Sequence, residues 1–395
     1  MSMPDFMVKN DAFVVLDNAL RAAGFDSFAV GGCVRDGLLG LEPNDVDVAT
    51  NARPHDLPKL LGMSGMYDGD DKVFRNGEVA LYPTGVSHGT WTVRVGDSEV
   101  EVTTFRQDVS TDGRRATVRF ADTMEEDAQR RDFTMNALYM SSDGQVYDPT
   151  RKGRDDLREG VVRFVGDADE RCKEDYLRVM RLFRFQARYG KPGEAMDFDA
   201  FMAAQRHAPQ VKAHVSGERV WDEFKKLMAA PRLEPVLGYM WRAGLFNVFF
   251  EDYHFDRMYG LMDAETMLGT QASWVARYWA LVGPNVPFPH ARDEMRALEA
   301  MEAAYYSTYP PAGVAYLYGE AACRDLYVMR GEWSPRVELE VRRGAGSSLP
   351  LTGADLMEYG FPKGPGMGKA LGEAKDMWLK SDLTLTKDEL RAAVV

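Results

Sequence analysis

Asp45 and Asp47 stand one residue apart in "GGCVRDGLLGLEPNDVDVAT" (Gly31 to Thr50), a short distance behind a glycine pair and an Arg-Asp dipeptide. On an extended strand, side chains alternate faces, so both carboxylates project to one side. Like charges that close repel unless a proton or a cation neutralises them, and oxygen ligands without a neighbouring histidine suit a hard cation such as Mg²⁺. Taken alone, the pair fits an exposed polar strand face as well. Gly31-Gly32 follows the apolar "FAV" and precedes "VRDGLL", which can open a helix. That order lets backbone N–H groups around Gly32, with the Arg35 guanidinium, approach a phosphate, although a bare glycine pair also makes a simple tight turn. Phosphate groups and two carboxylates together can share metal ions, as phosphoryl transfer requires. Glu101, in "SEVEVTTFR", is the candidate third carboxylate: Val100 and Val102 face one way, Glu99, Glu101 and Thr103 the other. A solvated sheet face would show the same alternation.

These residues need a sheet to hold them. Phe13, Leu16 and Leu20 recur at helical spacing and the run stops at Gly24, which predicts an amphipathic helix over Asp11 to Ala23. "SFAV", "DVDVA", "TWTVRV" and "EVEVTT" read as strands, the last two joined by a Gly96-Asp97 hairpin turn. After Pro149 the strand signals fade, and helical patterns such as "EDYLRVMRLFRFQARYG" and "GERVWDEFKKLMAA" dominate. The stretch between Thr104 and Asp127 is polar, interrupted by glycine and rich in both charge signs, and reads as a mobile loop. "RRGAGSSLPLTG", near 343 to 353, reads as a linker before a small terminal helical unit.

The 395 residues allow several modules and a large core. No run approaches the roughly 20 apolar residues needed to span a bilayer, and the first residues lack a signal-peptide pattern. Three scattered cysteines argue for free thiols in a reducing, cytoplasmic setting. A net charge of −13 does not exclude a nucleic-acid partner. Screening over about 8 Å makes a phosphate respond to the patch it touches. His55-Asp56 is a lone dipeptide at a helix start, and the other histidines are scattered, so no histidine-aspartate metal cluster is readable.

Five segments, "GGCVRDGLLGLEPNDVDVAT", "RRDFTMNAL", "YDPTRKGRDDLREGVVRFVGD", "EDYLRVMRLFRF" and "SGERVWDEF", occur in the order of the motifs of class II tRNA nucleotidyltransferases, the CCA-adding enzymes and their bacterial poly(A) polymerase relatives. The resemblance covers roughly the first 230 residues. It implies an α+β polymerase-β-like head with a mixed, mostly antiparallel sheet over 1–149, and an all-α half beyond it. That half divides into a neck (150–230) carrying a base template, a body (231–342) and a tail (343–395), the last two binding tRNA. It further implies Mg²⁺ as cofactor, CTP and ATP as substrates and tRNA as partner. Arg131 would meet the triphosphate, Asp132 and Asn136 the ribose hydroxyls, and Arg181 and Arg184 the nucleotide. Asp132 and Asn136, four apart on a helix, can converge.

In the family, a carboxylate and a guanidinium act as the template, here Asp175 and Arg178, three apart and so expected on one helix face. Cytosine and adenine pair an amino donor with an acceptor nitrogen, whereas uracil and guanine place a carbonyl beside an N–H, so such a pair accepts C and A. Exposed ion pairing, helix capping and a solvated basic stripe remain the plainer readings of these residues. The 104–127 stretch resembles a loop that relatives adding only the two cytidines shorten, which argues against that activity. Asn44 departs from the basic residue many relatives carry there, and "PTGVSHGTWTV" resembles the CCA-adding branch. The alternatives are a poly(A) polymerase, an enzyme adding only A, or a catalytically silent RNA-binding protein on the same scaffold. Oligomeric state is not legible.

Overall fold

The computed structural model describes residues 4–63, 73–111 and 116–394 and divides into two units, one of Met1–Ser216 with Pro235–Val248, the other of Gly217–Glu234 with Phe249–Val395. Strands are confined to the first unit: β1 Phe28–Val30, β2 Asp47–Thr50, β3 Phe74–Asn76, β4 Val79–Gly85, β5 Thr90–Val95, β6 Ser98–Thr104, β7 Arg106–Thr111, β8 Ala116–Phe120, β9 Tyr139–Met140 and β10 Val146–Tyr147. Eight of them form one sheet in the order β10-β9-β1-β2-β6-β5-β4-β3. Every pairing in it is antiparallel except β2 with β6, whose register sets Asp47 beside Glu101 and Val48 beside Val102.

The helix Asp11–Ala22 forms where its apolar spacing predicts. The Asn10 side chain accepts the Phe13 N–H at 3.0 Å and caps its start, and the chain leaves through Ala23 to Gly24 at φ +79°. Its buried Phe13, Leu16 and Leu20 face β5 and β6, from which Val93, Val100 and Val102 are buried. A second cluster, built on Phe28, Val30, Ala49, Phe105, Ala128 and Tyr139, gathers β1, β2, β9 and the helix Met124–Gln129. Gly96-Asp97 joins β5 to β6 as a two-residue turn, with Val95 opposite Ser98.

The stretch read as a mobile loop is instead built as a hairpin, β7 against β8, with Arg106 opposite Phe120. Its alternating β-branched residues outweigh its polarity, and residues 112–115 lie outside the described ones. From Gly153–Glu159 onward the named elements are helical. In the second unit, Trp221, Phe224, Phe250, Tyr278 and Phe288 form a ring cluster with edge-on and stacked contacts. Leu351, Leu356, Ala370, Ala374, Trp378 and Leu390 form another core. The first residues of the expected linker are helical, within Pro335–Ala345. Gly344 lets that helix meet the backbone of Ala312, since a Cβ there would lie 2.1 Å from the Ala312 carbonyl oxygen. Among the described residues no helix is long and apolar enough to cross a membrane.

Gly153 opens the helix Gly153–Glu159 directly against the 3₁₀ turn Thr134–Asn136, where a Cβ would sit 2.4 Å from the Thr134 carbonyl oxygen. Gly153→Ala is therefore expected to destabilise the first unit by roughly 1–3 kcal/mol, read as a lowered urea midpoint. Gly260→Ala, inside the helix Phe255–Leu268 with open space around the added methyl, is expected to leave the midpoint unchanged or raise it.

Candidate active site

β2 begins at Asp47, so Asp45 lies just ahead of the strand and is exposed, rather than within it as the sequence suggests. Glu42, Pro43 and Asn44 ahead of it carry no strand pairing. The two carboxylates nevertheless line one cavity of about 480 Å³, with Glu99 and Glu101 from β6 on its wall. Partial burial pushes the Asp47 carboxyl up to about 6, the charges of Asp45 and Glu101 add to the rise, and Arg131 opposes it. Cys33, buried beneath, is a thiol that burial pushes up to about 12, so it stays protonated and inert. Among the described residues no group of three or more His, Cys, Asp or Glu is drawn together tightly enough to hold a metal ion. The donor set still fits a hard cation: Asp45, Asp47 and Glu101 offer only oxygen, and their repulsion falls when positive charge arrives.

Beside the carboxylates, Gly31 takes φ +75° as it caps the helix Gly32–Leu38, and a Cβ on it would come within 3.3 Å of Arg131 Nη1. Gly32 opens that helix. Arg35, expected to meet phosphate, is buried and committed: Nη1 donates to Asn136 Oδ1 at 2.6 Å and Nε to Asp36 Oδ1 at 2.9 Å. Asn136 Nδ2 donates to Asp132 Oδ1 at 2.9 Å, and Arg181 Nε donates to Asp132 Oδ2 at 2.8 Å. Asp132 and Asn136 thus converge as spacing implies, but through a single 3₁₀ turn, Thr134–Asn136, instead of an α-helix. Burial would raise the Asp132 carboxyl, yet Arg181 and the Asn136 amide reverse that and hold it at about 2. Phe185 collects three guanidinium groups over its ring, Arg184 at 4.5 Å, Arg35 at 5.2 Å and Arg181 at 5.3 Å.

Asp175 and Arg178 do not share a helix. Asp175 is an extended residue, φ −151° and ψ 105°, ending the helix Ala168–Glu174, and the next helix, Leu177–Tyr189, starts two residues later. The Asp175 Oδ1 accepts the Leu177 N–H at 3.0 Å, which satisfies an orphan donor of the new helix and explains why the helical pattern breaks there. Arg178 donates from Nη1 to Glu174 Oε2 at 2.6 Å and to the Arg171 carbonyl at 3.1 Å, and from Nη2 to the Arg130 carbonyl at 2.9 Å. Those bonds occupy three of its five N–H donors and aim the guanidinium from two sides.

Residues that sequence reasoning passed over organise the rest. Asp127 is buried and accepts from Arg131 Nη2 at 3.0 Å, Arg130 Nε at 2.9 Å, the Tyr139 hydroxyl at 2.7 Å and the Arg106 backbone N–H at 3.2 Å. Burial resists its ionisation, but Arg131 and Arg130 hold the carboxyl well below the usual carboxylate range. Its signal was present, since it stands three and four residues ahead of an arginine pair on a helical segment. Glu174 and Asp36 play the same part for Arg178 and Arg35. The dipeptide His55-Asp56 sits on a surface turn, as expected.

A family model described as the Poly A polymerase head domain matches residues 27–163, and one described as the probable RNA and SrmB-binding site of polymerase A matches residues 195–256. The chain is 29% identical to the CCA tRNA nucleotidyltransferase 1, mitochondrial, of Danio rerio over 96% of its own length and 89% of that protein. With the CCA-adding enzyme of Streptococcus pneumoniae serotype 19F (strain G54) it shares 37% identity over 66% of this chain and 62% of that one. Among solved structures, the CCA-adding enzyme of Bacillus stearothermophilus in complex with CTP superposes with a TM-score of 0.68 at 26% identity, covering 96% of this chain and 95% of the other.

The two shifted carboxylates act on stability in opposite directions. Asp47, raised to about 6 in the fold, binds a proton that the unfolded chain has already lost, so its ionisation costs stability as pH rises from about 4 through 6. Asp47→Asn is expected to stabilise the first unit by roughly 1–3 kcal/mol at pH 7.5, read as a raised urea midpoint, and to match the parent at pH 4. Asp132, held at about 2, contributes stability that is present above pH 4 and lost as pH falls toward 2. Asp132→Asn is expected to lower the midpoint at pH 7.5 and to flatten its acid dependence.

Proposed function

The chain belongs to the family of tRNA nucleotidyltransferases and poly(A) polymerases, and from that premise we propose that it adds CCA, from CTP and ATP, to the 3′ end of tRNA without a nucleic-acid template. The observation that carries this reading is the joining of three groups within one unit. A repelling carboxylate set at β2 and β6, a cluster of arginines around Phe185, and Arg178 each adjoin the 130–136 segment or Arg131.

Asp45 and Asp47, with Glu101, would hold divalent cations, Mg²⁺ by the hardness of their oxygens, and such ions supply activation of a hydroxyl and neutralisation of phosphate charge. Arg131 and the backbone N–H groups at Gly32 face the triphosphate, with Arg181 and Arg184 adding positive charge along it. Asp132 and Asn136 meet the ribose, while Arg35 fixes the Asn136 amide. The terminal 3′ hydroxyl of the tRNA releases its proton to solvent as its oxygen bonds to the α-phosphorus, the bond from that phosphorus to the α,β-bridging oxygen breaks, and pyrophosphate leaves. Asp175 accepts from the amino group of cytosine or adenine and Arg178 donates to the adjacent ring nitrogen, so UTP and GTP leave unpaired groups and are rejected. The helical segments beyond the head, 150–230, 231–342 and 343–395, serve as neck, body and tail. The last two grip the A-form acceptor arm chiefly through its backbone.

The retained β7–β8 hairpin favours an enzyme that adds all three residues over one adding cytidines alone. Buried free thiols at Cys33, Cys172 and Cys323 suit a reducing compartment, which we take to be the cytoplasm.

The deciding assay supplies tRNA truncated before CC with labelled CTP and ATP, singly and together. Growth by three residues is expected. A long adenosine tail would instead identify a poly(A) polymerase, and growth only on CC-ended tRNA with ATP an enzyme adding the last residue. Asp47→Ala is expected to cut incorporation by about a thousandfold or more while tRNA binding in a filter assay stays close to the parent's. Loss of binding with residual synthesis would overturn the assignment of the carboxylates.

A further inference from the structure

Asp175 sits in a break between two helices, with one carboxylate oxygen on the first N–H of the second. What fixes the break is its neighbour. The ring of Tyr176 stacks on His214, with centroids 5.0 Å apart and planes at 29°, and lies 5.8 Å from His207. Both histidines belong to the helix Phe198–His214. His207 Nε2 lies 2.9 Å from Asp169 Oδ1 on the helix Ala168–Glu174, and Arg206 Nε donates to the same oxygen at 2.9 Å. His214 Nε2 in turn lies 3.1 Å from Gln210 Oε1. The residue between Asp175 and Leu177 is thereby clasped by a helix anchored to the one that Asp175 terminates.

We propose that Tyr176, held by His214 and His207, is a positioning residue for nucleotide selection: its clasped ring sets the backbone of the helix break and through it the aim of the Asp175 carboxylate. The inference rests on the base-reading role proposed for Asp175 and Arg178 and adds to it a device that neither residue contains. Arg178 is fixed by three bonds from two sides, and the Asp175 carboxylate, which holds the Leu177 N–H, takes its direction from the conformation of the break that carries it. A carboxylate displaced by about 1 Å loses the alignment that separates an amino donor from a carbonyl, and misplacements of that size cost up to about a hundredfold. The loss falls on discrimination more than on rate, because the carboxylates of β2 and β6 and the arginines around Phe185 are built from other segments.

The test compares kcat/KM for CTP against UTP, and for ATP against GTP, on the same truncated tRNA, in the parent and in Tyr176→Ala, Tyr176→Phe and His214→Ala. Both alanine variants are expected to lower the two ratios by about tenfold, with kcat for CTP changing less than the ratio, and Tyr176→Phe to retain the parent's ratios because the ring suffices for stacking. His214 is exposed, so its variant tests the clasp even where Tyr176→Ala fails to fold. Ratios unchanged in His214→Ala and in any folded Tyr176→Ala, or a fall in thermal midpoint without a change in selection, would overturn the proposal. A parent enzyme that does not select among the four triphosphates would overturn the base-reading role itself, a result distinct from a selective parent whose variants stay selective.

Discussion

One parallel pairing in an otherwise antiparallel sheet imposes the constraint around which the first unit is arranged. β2 and β6 run side by side in the same direction, so Asp47 and Glu101 share a level and Asp45 follows into the same cavity. Hydrophobic packing enforces this closeness: Val48 and Val102 sit beside each other in the register, fully buried, and a slip of one residue would turn valines outward and carboxylates inward. The sheet therefore holds three negative charges where electrostatics alone would separate them, and burial first, with the charges of Asp45 and Glu101 added, raises the Asp47 carboxyl to about 6. Positive charge arriving there would relieve that repulsion and stabilise the fold.

The arginines gathered in the first unit meet the opposite problem, because their like charges would repel one another. The structure solves it by giving several of them an internal acid: Arg131 takes Asp127, Arg181 takes Asp132, Arg178 takes Glu174 and Arg35 takes Asp36. Phe185 adds a shared aromatic face. These pairs orient the guanidinium groups before a ligand arrives and lower the entropy lost on binding. They also join segments far apart in sequence, since Asp132 meets Arg181 and Asn136 meets Arg35.

Much of the head was legible because its signals are local. The helix Asp11–Ala22 follows from apolar spacing and a glycine stop, and the β5–β6 hairpin from alternation around Gly96-Asp97. Candidate site residues can be named because they lie in short motifs, and the spacing of Asp127 ahead of Arg130 and Arg131 offers a signal for it, whereas the parts of Glu174 and Phe185 rest on contacts that only the folded chain supplies. The break at Asp175 was invisible for a different reason. The apolar period continues through it, and the capping bond from Asp175 to Leu177 outweighs the helical propensity of the residues around it. The hairpin between Thr104 and Asp127 was read as a loop because charge masked its β-branched alternation, and Gly344 as a linker residue because a glycine required by close packing of helices looks, in sequence, like one that permits a bend.

The overall charge of −13 then ceases to conflict with a polyanionic substrate. At physiological salt a phosphate senses charges within about 8 Å, and around Phe185 it would meet guanidinium groups held on a rigid helix. Asp132, which pairs with Arg181, is 9% exposed, and Asp127, which pairs with Arg130 and Arg131, is 1% exposed, so these acids are buried and already bonded. Asp45, Asp47 and Glu101, among the carboxylates that line the cavity, are those whose charge a divalent ion would neutralise on the proposed reading. On the proposed reading, a divalent ion held there would lower the barrier that the acidic side sets against a triphosphate, so nucleotide affinity would depend on the cation.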